Sequence, residues 1–426
     1  MPVVCLAGGE IPFGRSLGLA FLFLGIVLFV GIAALSHARE RAYSSAMIYL
    51  ALGVCAGVVV RAFGVGRLAS PFGNHRVLEL VSDGALVLAL FATGMRVRRR
   101  PTPDGWQTTL RMLLVALPLT VALVFVWAWG LMGLGIGAAI ALGAALAPTD
   151  PVLAGDLGVA PPRAEEEESA PEPEFVLTTE AGLNDGMALP FLFLGIAFAA
   201  HHSLWHWAAD RLVYGVGAAV VVGAALGRGL AWGSSRLRER ELLSADFDRW
   251  TGLAAAFAIY GAVEALGALG FVGAFAGGVA FRRHELDAQY RRNVHDGADI
   301  LKHFAELAVI LILGSTLALD GFPRAGVWGL LLAPVLVFAI RPAAALATLF
   351  RAPRLAPRER LWVSWFGVKG VASLNYAMVA VAAGAFGNDT PAIVWTVFAA
   401  VALSVVVHGL TSSPVTRLLL GAEEES

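Results

Sequence analysis

Residues 175–200 read FVLTTEAGLNDGMALPFLFLGIAFAA, an apolar stretch that carries two carboxylates, Glu180 and Asp185, and one carboxamide, Asn184. About 20 apolar residues suffice for a helix to cross the hydrocarbon core of a bilayer. At about 100° per residue, Glu180 and Asn184 fall within about 40° of each other, with Asp185 one step round. Ionisable groups in membrane helices face the interior of a bundle because lipid cannot solvate them. The stretch therefore predicts a membrane helix whose polar face is directed into a helical bundle.

The composition of the whole chain agrees with this prediction. Of the 426 residues, 58% are hydrophobic and 15% are charged, and the mean hydropathy is +0.73. Soluble domains carry about 25% charged residues, so a soluble enzyme and a disordered protein are excluded. The net charge of −1 excludes a nucleic-acid binder, which needs a basic face. Cys5 and Cys55 are too few for a disulfide framework or a Cys-rich metal site.

Thirteen stretches are long and apolar enough to span a membrane, and they predict an all-α polytopic membrane protein with a single membrane domain over residues 1–426. An odd number of spans permits two inverted repeats of six helices joined by one linking helix, as in many secondary transporters. The predicted spans are Ser16–Ser36, Ser44–Phe63, Val77–Met95, Met112–Trp129, Leu131–Leu157, Phe175–Ala200, Leu212–Gly233, Trp250–Leu266, Leu269–Phe281, Leu301–Leu319, Val327–Phe350, Leu361–Ala385 and Ala392–Ser412.

The loop lysines and arginines sort to one side of this topology, 22 against 5. The poorer side holds Arg15, Arg67, Arg76, Arg211 and Arg324. Basic residues accumulate in cytoplasmic loops, so we expect a multi-pass protein of the cell (plasma) membrane. Its N-terminus is expected outside the cell and its C-terminus in the cytoplasm.

One predicted loop, residues 159–174, is acidic and rich in proline. The simplest interpretation is a solvated linker. The alternative is a surface that attracts cations to the cytoplasmic mouth of the protein.

Several charged residues fall inside the predicted spans and need a partner or a function. For Asp83, Glu264 and Glu306 we expect interhelical hydrogen bonds or structural ion pairs rather than ion binding.

The span Leu131–Leu157 contains Ala147-Pro148-Thr149-Asp150-Pro151, in which two prolines bracket a carboxylate. Proline removes a backbone donor and clashes one turn back, so the helix is expected to open here. Backbone freed from a membrane helix is tolerated where it lines a cavity or binds a ligand. Thr149 and Asp150 are therefore candidate ion ligands. The alternative is a simple proline kink with Asp150 as a cap.

Two further segments place a cation beside a helix breaker. Arg341-Pro342 lies in the span Val327–Phe350, and its guanidinium is a candidate to neutralise one of the acidic groups of residues 175–200. Lys369 lies between Gly367 and Gly370 in the span Leu361–Ala385, which predicts a second broken helix. A positive charge there would offset carbonyl ends of helices that point at the membrane midplane.

Together these segments resemble the monovalent cation:proton antiporters, specifically the electroneutral sodium/proton exchanger branch. The resemblance runs from the third predicted span to the C-terminus. The matching segments are Leu90–Met95, Pro148–Pro151, Glu180–Gly186, Arg341-Pro342, Gly367–Leu374 and Ser404–Thr411.

The resemblance implies a core of six helices, at about residues 108–200 and 325–413, with two discontinuous helices that cross near the site. The remaining helices would form a scaffold and dimerisation region of a homodimer that contacts membrane lipid.

The resemblance also implies roles for individual residues. Asp185 would be the carboxylate that exchanges a proton for the cation, with Asp150 and Thr149 helping to coordinate the cation. Glu180 and Arg341 would form an ion pair that holds the core together.

Three positions bear on stoichiometry and selectivity. Asn184 before Asp185, where electrogenic relatives have a second aspartate, implies electroneutral exchange. The sequence departs from the family pattern at Ala181, usually a serine and a possible ligand, and at Lys369, usually an arginine. A buried lysine titrates more readily than an arginine, so Lys369 bears on stoichiometry.

The sequence therefore predicts a secondary transporter without a cofactor, which exchanges Na⁺ or K⁺ for H⁺ by competition at Asp185. An electrogenic antiporter of the same fold is the first alternative, and a cation channel or sensor is the second. An intramembrane hydrolase that uses Asp150 and Asp185 as an acid pair is disfavoured because neither Gly-x-Gly-Asp nor His-Glu-x-x-His occurs.

Overall fold

The computed structural model describes residues 25, 29, 44–62, 70–73, 75–97, 102–150, 171–283, 288–317 and 321–421. Three of the predicted features lie wholly or partly outside these residues. They are the first span, Ser16–Ser36, the part of the span Leu131–Leu157 beyond residue 150, and residues 159–170 of the acidic loop.

The described residues form thirteen helices and contain no strand, which confirms the all-α class. In chain order the helices are α1 (Ser45–Ala62), α2 (His75–Arg96), α3 (residues 103–130), α4 (Ile136–Leu146), α5 (Glu172–Ala199), α6 (Leu204–Glu239), α7 (Asp248–Ala265), α8 (Gly270–Arg283), α9 (Ala288–Thr316), α10 (residues 326–349), α11 (Pro357–Trp365), α12 (Val371–Ala383) and α13 (Thr390–Leu420). The helices α3, α6 and α10 each contain one π-helical segment. Of the two predicted broken spans, the first contains α4 and the second contains α11 and α12.

Twelve of the thirteen predicted spans fall for most of their length in the described residues, and each coincides with a helix or with two halves of a broken helix. Seven helices of this part of the chain are long and apolar enough to cross a membrane alone, namely α1, α2, α3, α5, α6, α10 and α13 with their flanking turns. The other five spans are shorter, interrupted or richer in charge, and so do not reach that length and hydropathy as single helices.

Local sequence explains where several helices begin and end. Pro173, Pro357 and Pro391 occupy the first turns of α5, α11 and α13, where a missing N–H costs no hydrogen bond. Gly384 ends α12 in the left-handed conformation, with φ of 61°, which a glycine adopts without strain. In α10 the π-helical segment Leu336–Ile340 lies directly before Arg341, and such segments are frequent at functional sites.

One expectation about charged residues was wrong, and another is confirmed. Glu172 and Glu174 were assigned to the acidic loop, but they form the first turn of α5, where carboxylates are favoured by the helix dipole. Glu264 was expected to make an interhelical hydrogen bond or a structural ion pair, and its Oε1 accepts a 2.8 Å hydrogen bond from the backbone N–H of Gly270, the first residue of α8. Glu264 lies in the last turn of α7 rather than deep in the bundle.

Close approach of helix backbones at small residues builds the bundle. A Cβ atom placed on Gly137 of α4 would lie 2.5 Å from the carbonyl oxygen of Gly195 of α5. Lipid provides no hydrophobic driving force between helices, so small residues that let two backbones approach closely stabilise the packing. The contact fixes α4 against α5 and so brings the end of α4 to the polar face of α5.

Candidate functional site

The two broken helices meet where both are unwound. The helix α4 ends at Leu146, and the described chain continues without helix through Asp150. On the other side, residues 366–370 separate α11 from α12. The backbone N–H of Asp150 donates a 2.8 Å hydrogen bond to the carbonyl oxygen of Val368. The two unwound segments are thus held directly against each other inside the bundle, as expected for two discontinuous helices that cross.

Lys369 and Asp150 place opposite charges at the helix ends created by this crossing. The Lys369 Nζ donates to the carbonyl oxygens of Ala147 and Pro148, at 3.0 and 2.9 Å, and so lies at the negative end of α4. The Asp150 Oδ2 accepts a 3.1 Å hydrogen bond from the backbone N–H of Val371, at the positive end of α12. Each charge therefore satisfies free backbone groups and is favoured by the dipole of the helix that it faces.

Arg341 and Glu180 form a fully buried ion pair. The Arg341 Nη2 lies 3.0 and 2.9 Å from the two carboxylate oxygens of Glu180, and the residues are 3% and 1% exposed. A buried charge without a partner costs several kcal/mol, so each member of the pair requires the other. The pair joins α10 to α5.

Asn184 connects this ion pair to the unwound end of α4. Its Nδ2 donates to the Glu180 Oε1 at 2.9 Å and to the Thr149 Oγ1 at 2.7 Å. Its Oδ1 accepts a 3.2 Å hydrogen bond from the backbone N–H of Thr149. The carboxamide thereby positions Thr149 and Asp150 relative to α5.

Asp185 lies beside this network but is not part of it. The residue is 3% exposed, and its Oδ1 has no hydrogen-bond partner within the described residues. Its backbone carbonyl oxygen accepts a hydrogen bond from the Tyr376 hydroxyl of α12. A buried carboxylate oxygen without a donor is unusual in a folded protein and needs an explanation.

The structure brings together all seven residues that the sequence singled out. They come from the end of α4, from α5, from α10 and from the segment between α11 and α12, and they are Thr149, Asp150, Glu180, Asn184, Asp185, Arg341 and Lys369. The departure at Ala181 lies one residue from the ion pair, and this alanine is buried. Within the described residues, no group of three or more His, Cys, Asp or Glu side chains has the arrangement of a metal centre.

Three further residues of the site were not predicted as site residues, although two of them lie in the segment Ser404–Thr411 that contributes to the family resemblance. Ser404 of α13 accepts a 2.8 Å hydrogen bond from the backbone N–H of Lys369. One turn on, the His408 Nδ1 contacts Ser404, and its Nε2 lies 3.0 Å from the carbonyl oxygen of Trp365. Ser404 and His408 thus contact the unwound segment and the end of α11, and Tyr376 of α12 contacts the backbone of Asp185 on α5. The four-residue spacing of Ser404 and His408 in an otherwise apolar helix places both on one face, and this is the signal from which their contact was predictable.

Two glycines lie on the surface of α5 that meets α2 and α8. A Cβ atom on Gly182 would overlap the Thr93 Cγ2 of α2, and one on Gly186 would lie 3.1 Å from the Val272 Cγ2 of α8. At these two positions the helix that carries Asp185 is therefore in close contact with the side chains of its neighbours.

Gly182→Ala is expected to disturb this face. The added methyl group overlaps Thr93, and overpacking in a closely packed interior costs about 1–3 kcal/mol. We expect a lower melting temperature of the purified protein, and we expect Gly182→Ala/Thr93→Ala to recover most of the loss. A melting temperature of Gly182→Ala equal to that of the wild type would contradict the tight contact.

Comparison with known proteins identifies the family. The sequence profile of the family described as "Sodium/hydrogen exchanger, transmembrane" matches residues 15–418. The fold is similar to a structure of the sodium proton antiporter MjNhaP1 from Methanocaldococcus jannaschii at pH 8, with a TM-score of 0.71 and 18% identity over 92% of this chain and 99% of that chain. It is equally similar to a structure of MjNhaP1 from an electron-microscopy map, with a TM-score of 0.70 and 17% identity over 98% of this chain and 100% of that chain. The chain therefore belongs to the family of transmembrane sodium/hydrogen exchangers.

Proposed function

We propose that this protein exchanges one monovalent cation, Na⁺ or K⁺, for one proton by competition at the Asp185 carboxylate. The observation that carries the proposal is the buried Oδ1 of Asp185, which has no hydrogen-bond donor within the described residues while its neighbours are engaged. A carboxylate oxygen in a dry interior binds either a proton or a hard cation, and not both at once. Each crossing of the membrane then carries one or the other, and no covalent bond is made.

Membership of a transporter family excludes the intramembrane hydrolase, and the protein is a multi-pass membrane transporter. Na⁺ and H⁺ are the substrates of the family by its description. K⁺ is proposed as a second substrate because the oxygens near Asp185 come from a carboxylate, a threonine and backbone carbonyls, which suit either ion.

The charge balance of the site supports electroneutral exchange. Three carboxylates, those of Asp150, Glu180 and Asp185, face two cationic side chains, those of Arg341 and Lys369. The remaining negative charge is neutralised by one monovalent cation or by one proton, so both loaded states of the site have the same charge. Equal charge in the two transported states makes the cycle insensitive to membrane potential.

The test is exchange in proteoliposomes at a controlled membrane potential. We expect Na⁺ or K⁺ to dissipate an imposed pH gradient at the same rate at positive, zero and negative potential. Asn184→Asp is the matched variant, because it adds a fourth carboxylate next to the first three, and its exchange should depend on potential. Potential-dependent exchange by the wild type would favour the electrogenic alternative, with Lys369 as the group that releases a second proton. Cation flux without proton movement would favour a channel.

We also propose the family's domain arrangement for this chain. The site is carried by α4, α5, α10 and the broken helix α11–α12, which supports a core over about residues 108–200 and 325–413. The face of α5 that carries Gly182 and Gly186 and meets α2 and α8 supports a scaffold on which the core moves. The proposal includes a homodimer, which rests on the family resemblance. It also places the protein in the plasma membrane with its N-terminus outside and its C-terminus in the cytoplasm, which rests on the sorting of basic residues.

A further inference from the structure

A second carboxylate lies inside the bundle, away from the crossing of the broken helices. Asp83 of α2 is half-buried, and its Oδ1 accepts a 2.6 Å hydrogen bond from the Nδ2 of Asn375 on α12. The same Nδ2 lies 3.1 Å from the Oγ of Ser82, which is buried. The Ser82 hydroxyl donates to backbone carbonyls of its own helix, at Leu78 and Glu79, so its oxygen accepts the bond from Asn375.

Asn375 presents an oxygen that an interhelical bond alone does not explain. The residue is 0% exposed, and its Oδ1 has no hydrogen-bond partner within the described residues. An unpartnered buried amide oxygen needs a reason, such as an ion that it contacts. The Asp83 carboxylate, the Asn375 Oδ1 and the Ser82 Oγ are all hard oxygen ligands, which is the set that a monovalent cation prefers.

This group is connected to Asp185 through the neighbouring residue of α12. The hydroxyl of Tyr376, next to Asn375, donates to the backbone carbonyl of Asp185. Two consecutive residues of α12 therefore bond to the Asp83 side chain and to the Asp185 backbone.

On its other side, Asp83 faces two more carboxylates and one hydroxyl. Glu79 lies one turn earlier on α2, and Glu264 and Tyr260 come from α7. Glu264 lies at the turn into α8, near an end of the bundle. The carboxylates of Glu79 and Glu264 are therefore neighbours of Asp83, and among the described residues neither carboxylate makes a hydrogen bond to Asn375 or Ser82.

We propose that Asp83, Asn375 and Ser82 form a second binding station for the transported monovalent cation, between Asp185 and the end of the bundle at the α7–α8 turn. The inference rests on the proposed function, because it assigns the same cation to both carboxylates. The station has one charged and two neutral ligands and is half-open, so it binds the cation weakly and releases it toward Asp185.

The test is the cation dependence of exchange in proteoliposomes for four forms of the full chain: the wild type, Asp83→Asn, Asn375→Ala and Glu79→Gln. Asp83→Asn and Asn375→Ala are expected to raise the KM for Na⁺ about tenfold, the usual effect of losing one contact to a charged group. Their maximal rates should remain close to that of the wild type. Glu79→Gln removes a carboxylate one turn away and controls for a general loss of negative charge, so its KM should remain near the wild-type value.

The outcomes separate this inference from the proposed function. Unchanged KM values for Asp83→Asn and Asn375→Ala overturn the second station, and so does an equal rise in Glu79→Gln, which would reflect general attraction. A lower maximal rate and melting temperature at constant KM would make the Asp83–Asn375 bond purely structural and also overturn it. Asp185→Asn is measured in parallel. If it exchanges normally, the proposed function fails, whereas if it is inactive and Asp83→Asn has a wild-type KM, only the second station fails.

Discussion

Asp185→Asn is expected to abolish cation-dependent dissipation of a pH gradient, to the level of liposomes without protein. The variant keeps the size of the side chain and the hydrogen bond from Tyr376 to the backbone carbonyl, so the fold should be preserved. It removes the charge that binds the cation and the group that carries the proton, and a carboxamide replaces neither. Proteoliposomes loaded with a pH-sensitive dye, tested with Na⁺, K⁺ and Li⁺ in turn and across pH, provide the measurement.

Asp389→Asn is the matched control for this variant. The Asp389 Oδ2 accepts a 2.9 Å hydrogen bond from the backbone N–H of Gly135, at the start of α4 and away from the site. An asparagine oxygen can accept the same bond, so exchange by Asp389→Asn should equal that of the wild type. Exchange by Asp185→Asn at the rate of the control would contradict the role of Asp185.

Arg341→Met and Glu180→Gln are each expected to destabilise the protein by about 3–5 kcal/mol, because each leaves the other member of a buried ion pair without its partner. Glu180→Gln should be the milder of the two, since a glutamine oxygen can still accept from Asn184. Thermal unfolding of the purified protein, combined with the yield of folded protein, measures the effect.

The double variant Glu180→Gln/Arg341→Met gives this prediction its control. Removing both charges leaves no unpaired ion in the interior, so the double variant should be markedly more stable than Arg341→Met alone. Losses below about 1 kcal/mol in the single variants, as for surface pairs, would show that the pair does not hold the core together.

The fold was largely predictable from the sequence because lipid imposes strict requirements on it. Apolar runs of sufficient length marked twelve spans that the described residues contain, and the prolines around Asp150 and the glycines around Lys369 marked the two breaks. Boundaries were less predictable. Proline and two glutamates before Phe175 suggested a loop, whereas in the structure Pro173 and the carboxylates start α5.

The composition of the candidate site was also visible, because charges in apolar spans are few. Which groups pair across the bundle was not, since this depends on the rotation and depth of each helix. No pattern along the chain indicated that the Lys369 Nζ would reach the Ala147 carbonyl, or that Asn375 would meet Asp83. For Glu264 the interhelical hydrogen bond was predicted but the depth was not, because the residue lies in the last turn of α7.

The central claim is that a proton and a cation compete for Asp185, and the most direct test is the number of protons released when the cation binds. Na⁺ is added to the purified protein in a weakly buffered detergent solution, and proton release and Na⁺ binding are measured together across pH. Competition predicts about one proton released per Na⁺ bound by the wild type where the site is protonated, and none from Asp185→Asn. Na⁺ binding by the wild type without proton release at any pH, or equal release from Asp185→Asn, would contradict the account.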